Sequence, residues 1–229
     1  MAKRRISRKE LVKEPDEFIT LTGQAIRWAR ENTRPLVYGI CLFFGIIVLA
    51  SAYRLYASHR QDSGAALLSQ TRIAYQAAVQ ADKDPVKALA AVKPQFESLV
   101  AEYGHWPAGQ LGRVLYAHAA LDGRAPDEAI ALYKKALDDF KADPTLTSSI
   151  LNGLAAAHIE KGDNAAAIGY LERLVAGSGK TLKDAALFQL GALYKAAGQA
   201  EKSQQVYVQL GTDYPDSIYA DIAKEKIAG

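Results

Sequence analysis

The sequence is short of sulfur, with one cysteine and one methionine in 229 residues. A lone Cys41 excludes an intrachain disulfide and a cysteine-based metal site, so the chain must be held by packing alone. Histidine is nearly as scarce. His59, His105, His118 and His158 lack the H-x-x-x-H or H-E-x-x-H spacing that sets two imidazoles on one helical face, so they read as structural or surface residues. Strand-like alternation is missing too. Outside one hydrophobic run the chain is rich in Ala and Leu at helical spacing, which gives an all-α class.

Catalytic motifs are equally absent. Gly177-Ser178-Gly179-Lys180-Thr181 ends like a P-loop, but a phosphate-cradling loop needs glycine where Leu174 stands, and no strand precedes it. Ser178 lacks the G-x-S-x-G elbow, and no carboxylate pair stands out from the helical background. The residues call for no catalytic role, no cofactor and no metal. An enzyme on a helical scaffold is left without a positive feature.

What the chain does have is a charge asymmetry around an uncharged span. Residues 1–34 hold nine Lys/Arg against five Asp/Glu, whereas residues 61–229 hold 17 against 20. Between them Leu36 to Tyr53 carries no charge over 18 residues, which as a helix measures ~27 Å, close to the hydrocarbon core of a bilayer. Arg34 and Pro35 mark the near end; Tyr53, Arg54 and Tyr56 supply headgroup-level residues at the far end. Only Arg54 and Arg60 follow the span closely, so the positive-inside rule predicts a cytoplasmic N-terminus and an exported C-terminal part. The expected division is a basic cytoplasmic segment at 1–34, a transmembrane helix at 35–54 and a periplasmic domain at 55–229. Because the basic arm ends at an apolar span, it reads as a topology signal rather than a nucleic-acid arm.

A cleaved signal peptide is the rival reading, since Ala50-Ser51-Ala52 resembles a cleavage site. Against it stand the 34 residues before the span, the length of the apolar run and Arg54 just after the cut. Lipidation at Cys41 fails because Ile40, not a small residue, precedes it. Within the cytoplasmic segment, Glu14-Pro15 suits a helix start. After it Phe18, Leu21, Ala25, Trp28 and Ala29 share a face with Ile26 beside them, opposite Gln24, Arg27, Arg30 and Glu31. Such a helix can lie on an anionic leaflet, with Trp28 among headgroups and Arg27 and Arg30 near phosphates, or dock on a partner.

Beyond His59 the chain reads as successive helices. Breaks are predicted at Asp84-Pro85, Gly104 to Pro107, Gly123 to Pro126, Asp143-Pro144, Gly162-Asp163, Gly177 to Gly179, Gly198 and Tyr214-Pro215. Aligning on Gly123, Gly162 and Gly198 reveals a repeating unit: LYAHAALDGRAPDEAIALYKKAL, LAAAHIEKGDNAAAIGYLERL and LGALYKAAGQAEKSQQVYVQL. It resembles the tetratricopeptide repeat. Leu187, Leu190, Gly191, Tyr194, Tyr207 and Pro215 stand at pattern positions in the third unit, with Ser203 in place of alanine. Leu151, Leu154, Ala155 and Ala167 fit in the second, where His158 and Leu171 replace aromatics; Ala129, Tyr133 and Ala136 fit in the first. On this alignment the first unit has one extra residue around Ala125-Pro126. Residues 62–103 add two helices and Tyr219 to Ile227 a cap. The expected architecture is a single N-terminal transmembrane helix followed by a tetratricopeptide-type α-solenoid.

Such arrays bind protein segments along the inner face of each unit's first helix. Counting back from the three glycines selects Gln110 and Arg113, Ser149 and Asn152, and Ala185, Phe188 and Lys195. This set is mixed polar and does not supply the cluster of Lys, Arg and Asn needed to clamp acidic tails. Leu55-Tyr56-Ala57-Ser58-His59-Arg60-Gln61-Asp62-Ser63 and Ala74-Tyr75-Gln76-Ala77-Ala78-Val79 resemble the YfgM-like family, ancillary subunits of the SecYEG translocon. The resemblance implies an inner-membrane anchor, periplasmic repeats, and association with translocon subunits, periplasmic chaperones or exported chains. The basic segment around Lys13 to Phe18 goes beyond that family's pattern. Tyr103-Gly104 and Tyr214-Pro215-Asp216-Ser217 instead resemble exported repeat proteins that coordinate envelope division or assembly, released or anchored.

Overall fold

Proline or aspartate starts each of the five consecutive helices from residue 85 to residue 176. In a computed structural model, which describes residues 17–228, ten helices and no strand occur among the described residues. They are α1 (Glu17–Glu31), α2 (Thr33–Asp82), α3 (Pro85–Tyr103), α4 (Pro107–Asp122), α5 (Pro126–Asp139), α6 (Pro144–Glu160), α7 (Asn164–Ala176), α8 (Lys183–Ala196), α9 (Ala200–Asp213) and α10 (Ile218–Ala228). Each break predicted beyond His59 falls between two of them. Asp84, Asp143 and Asp163 cap the helices that follow by accepting hydrogen bonds from Val86, Thr145 and Ala166 amides at 3.0, 2.9 and 3.1 Å. Pro85, Pro107, Pro126 and Pro144 occupy first-turn positions, where a missing N–H costs nothing. The Glu14-Pro15 start lies outside the described residues.

The chain divides into two compact units between Ser58 and His59. In the first, only Asn32 separates α1 from α2. Pro35 explains the break, since it has no N–H to offer the Glu31 carbonyl four residues back. Asn32 Nδ2 and Thr33 Oγ1 donate instead to the carbonyls of Trp28 and Arg30, at 3.0 and 3.1 Å. Helix α2 does not stop where the apolar run stops. Gly64, the one strong breaker candidate in that stretch, is buried against the Tyr103 ring, where a Cβ would come within 2.8 Å of Cδ1. Its cost inside a helix, ~1 kcal/mol, is offset by a helix contact that only a glycine permits.

In the second unit the helices pair as hairpins, α2 with α3, α4 with α5, α6 with α7 and α8 with α9, followed by α10. Lys83, Arg124, Gly162 and Gly198 turn the four hairpins with φ of +50°, +56°, +77° and +73°. At the last three the same two hydrogen bonds close the first helix. The left-handed residue's amide reaches the carbonyl three back at 3.0, 2.9 and 3.1 Å, and the next amide reaches the carbonyl five back at 2.8 Å in each case. The turn residue of the first unit is therefore Arg124, not Gly123. The extra residue near Ala125-Pro126 disappears once the units are aligned on Arg124, Gly162 and Gly198, and the pattern runs through both helices of each unit.

On this register small residues face each other across every hairpin. Ala117, Ala155 and Gly191 stand seven before the turn residue; Ala129, Ala167 and Ser203 stand five after it, all buried. Such residues let helix axes approach closely. Ser203 adds a bond that alanine could not, its hydroxyl donating to the Gly191 carbonyl at 2.7 Å in a buried site. Nine residues after the turn, Tyr133, Leu171 and Tyr207 fill the space beyond, and an added Cβ at Gly191 would collide with the Tyr207 ring.

Four core clusters run along the array, each made of one hairpin and the first helix of the next. Helix α6, for example, gives Ile150, Leu154 and Ala157 to one cluster and Leu151 and Ala155 to its neighbour. First helices are thus buried on two sides and second helices on one, which is the construction of a solenoid. Helix α10 buries Ala220 and Ala223 and exposes Asp221, Lys224 and Glu225.

A non-glycine residue held in the left-handed region carries strain that glycine does not. Arg124→Gly is therefore expected to stabilise the array, while Gly198→Ala should cost about 1 kcal/mol, a fall of roughly 2–4 °C in Tm for a domain of this size. Thermal melts of the two variants against the parent check both signs.

Candidate interaction groove

The inner face of the array is what the first helices leave uncovered after packing on both sides. Ser149 and Asn152 of α6 and Ala185 and Phe188 of α8 are half-buried there, thirteen and ten residues before their turn glycines, while Lys195 is exposed. Phe188 stacks on Tyr219 at 5.1 Å between ring centroids and tilts against Tyr207 at 6.0 Å, so this end of the face is aromatic. In the first unit the corrected register moves the same two positions from Gln110 and Arg113 to Leu111 and Val114. Gln110 is half-buried, Val114 is buried, and Leu111 is 41% exposed.

Arg113 has a different occupation. Its side chain is 11% exposed, pairs through Nη1 with Asp139 at the end of α5, and donates through Nη2 to the Gly104 carbonyl at 3.3 Å. On the other side of the same helix end, Arg60 donates to the Glu102 carbonyl at 2.7 Å and lies 4.4 Å from the Tyr103 ring centroid. Two guanidinium groups thus meet the carbonyl end of α3, where the helix dipole favours cations.

A polar network that the sequence reading missed ties the first hairpin to the second. Tyr116 donates to Glu128 at 2.5 Å, Lys93 donates to both Glu128 oxygens at 2.7 and 2.9 Å, and Tyr75 donates to Asp122 at 3.3 Å. Phe96 stacks on Tyr116 in the middle at 5.0 Å. Burial, with the Asp122 carboxylate, pushes the Tyr75 phenol up to about 12. Burial opposes ionisation of Glu128, but the bonds from Lys93 and Tyr116 outweigh it and hold the carboxyl below its usual range. The residues lie as far as 53 positions apart, from Tyr75 to Glu128, so no linear motif announces them.

In the first unit of the chain Arg27, Trp28 and Arg30 are all exposed, Trp28 at 58%. Trp28 lies over an apolar hollow with Pro35, Leu36, Gly39, Ile40, Phe43 and Phe44. Helix α2 is long and apolar enough to cross a membrane: its most apolar 18-residue window has a mean hydropathy of 2.3 and no residue buried. Among the described residues no cluster of His, Cys, Asp or Glu could hold a metal.

A family model described as tetratricopeptide repeat matches residues 185–217, which is α8, α9 and the turn after them. Among solved structures, one described as the crystal structure of MamA protein is 19% identical with a TM-score of 0.50, over 69% of this chain and 81% of that one. A second, described as the crystal structure of MamA, is 22% identical with a TM-score of 0.44, over 59% of this chain and 81% of that one. No curated protein matches significantly. At 19% identity the first of these likenesses is one of fold.

His118 generates a pH prediction. Its Nδ1 lies 2.6 Å from the Tyr133 hydroxyl, and burial lowers its pKa below 6.5 despite the Asp122 charge. The unfolded chain then takes up this proton first, so the contribution is intact above pH ~6.5 and is lost as pH falls below it. Melting temperatures should drop more steeply between pH 7 and 5 (approximate limits) for the parent than for His118→Gln. With the matched repeat, the recurrent turns and the shared core clusters taken together, residues 59–228 form a tetratricopeptide-type α-solenoid.

Proposed function

We propose that this chain is a non-catalytic protein-interaction scaffold tethered to the inner membrane, with its N-terminus in the cytoplasm and its repeat array in the periplasm. One observation carries the reading: a single chain joins an uncharged, exposed stretch of helix of bilayer length to a repeat array whose first helices leave Ser149, Asn152, Ala185 and Phe188 partly exposed. The excess of Lys and Arg before that stretch supports the direction of crossing. Arg27, Trp28 and Arg30, all exposed on α1, suit contact with an anionic inner leaflet.

The partners we infer are proteins of the export route. The resemblance of the stretches 55–63 and 74–79 to translocon-associated repeat proteins supports a role in bringing emerging chains to periplasmic chaperones. The groove candidates suit protein segments without strong charge, since Ser149, Asn152, Ala185 and Phe188 are neutral and only Lys195 is an exposed cation among them. Crosslinking in cells, solubilisation in mild detergent and purification of the full chain should recover translocon or chaperone subunits. Recovery of neither would sink the export role. N-terminal sequencing of the mature protein should read Met1 or its neighbour, and a start near Tyr53 would favour the released envelope protein instead.

A further inference from the structure

Between α2 and α4 the array leaves an apolar hollow of about 360 Å³ that no helix among the described residues fills. Ala65, Leu68, Ser69 and Arg72 line it from α2 and Leu111 and Leu115 from α4. The α2 residues follow the i, i+3, i+4, i+7 spacing of one helical stripe, and the α4 pair is i, i+4. The hollow therefore runs along the two helices, over about two turns, or ~10 Å at 1.5 Å per residue. Leu111 is 41% exposed, and Leu68 and Leu115 are half-buried, so three leucines present apolar surface to one slot.

Arg72 supplies the second observation. It is the one charged residue on the lining, it is exposed, and it makes no ion pair or hydrogen bond among the described residues. Lys93 and Arg113, on neighbouring helices, are both paired with carboxylates. A slot lined by parallel helical ridges accepts a third ridge of the same period, and a free guanidinium at its edge favours an anion there. An extended segment would instead cross the first helices from unit to unit and meet this slot at one point only.

We propose that the α2–α4 slot docks an amphipathic helix of a protein partner, one that presents apolar side chains at i and i+4 and a carboxylate at i+7 to meet Arg72. The assignment rests on the scaffold reading only in taking the partner to be a protein. It deepens that reading at the α2–α4 end of the inner face, since Leu111 is also the position that the corrected register gives the groove in the first unit.

The test uses the full chain in nanodiscs and a fluorescent Ala/Gln-based peptide of about 14 residues, near the length where an isolated helix becomes stable. The peptide carries Leu at i and i+4 and Glu at i+7, and anisotropy reads its binding. The Glu peptide should bind about fivefold tighter than the same peptide with Lys at i+7, and Arg72→Glu should invert that preference. Leu111→Gln should weaken binding about tenfold, and a proline at the centre of the peptide should abolish it.

Equal binding of the Glu and Lys peptides, equal binding of the proline peptide, or no binding would each overturn the proposal. So would a dimer in sedimentation that Leu111→Gln dissolves, which would give the slot to a second copy. Should Leu111→Gln disturb folding, the Arg72 charge swap decides alone, because that side chain is exposed and unpaired. Crosslinked export partners that persist in both variants would sink this slot and leave the scaffold reading standing. Peptide binding without any such partner would do the reverse.

Discussion

Close approach of two helices within a hairpin is the constraint on which the rest of this array depends. Ala117 against Ala129, Ala155 against Ala167 and Gly191 against Ser203 set how near the helices lie, and all six are buried. The turn must deliver the chain to that contact in two or three residues, which forces one of them into the left-handed region. Everything farther out follows. With the pair this close, the residue nine after the turn reaches past it, so that Tyr133 packs its hydroxyl end where a Cβ on Gly153 of the next unit would sit. A larger residue at any of the small positions would therefore disturb the following unit as well as its own.

The junction between the first two hairpins carries more polar links than the later ones. Each later junction has one such link in a mostly aliphatic and aromatic core, Lys161 with Asp127 and Tyr194 with Glu172, whereas α2, α3, α4 and α5 meet through Tyr75–Asp122 and Lys93–Glu128–Tyr116. Partly exposed ion pairs add little stability, since solvent screens them: the Lys93 and Glu128 side chains are 40% and 29% exposed. Their geometry is directional, however, and a network in which each carboxylate has a partner admits one docking angle where a greasy interface admits several. The first hairpin uses only the downstream part of α2, and this directional joint sets how the second hairpin docks on it.

How much of this was legible in the sequence depended on whether a feature had a local signal. Helix starts were, because Asp-Pro and Gly-Asp pairs act within one turn. The first turn was misplaced by one residue because glycine marks the left-handed position at 162 and 198, whereas at 124 arginine holds it beside a glycine at 123. A rule keyed to glycine picks the wrong neighbour there; the spacing to Ala129, five residues in each unit, would have picked the right one. The same slip carried Arg113 into the groove set, although it ties α3 to α5. The continuity of α2 was hidden for the opposite reason: its composition changes near His59 while its helical geometry does not, and Gly64 looks like a breaker until Tyr103 is seen against it. The Tyr–carboxylate network left no trace at all, since its members are ordinary helical residues until four helices bring them together.

The two-sided burial of the first helices also decides where function can sit. A helix has about 3.6 residues per turn, and α4, α6 and α8 spend most of each turn on the hairpin partner and the preceding unit. What remains is one narrow stripe per helix, a regular surface that neighbouring units extend. A surface made of such stripes recognises its partners by additive contacts spread over neighbouring units. It is most discriminating where a stripe departs from neutrality, as at Arg72 beside Leu111, or from flatness, as where Phe188 stacks on Tyr219.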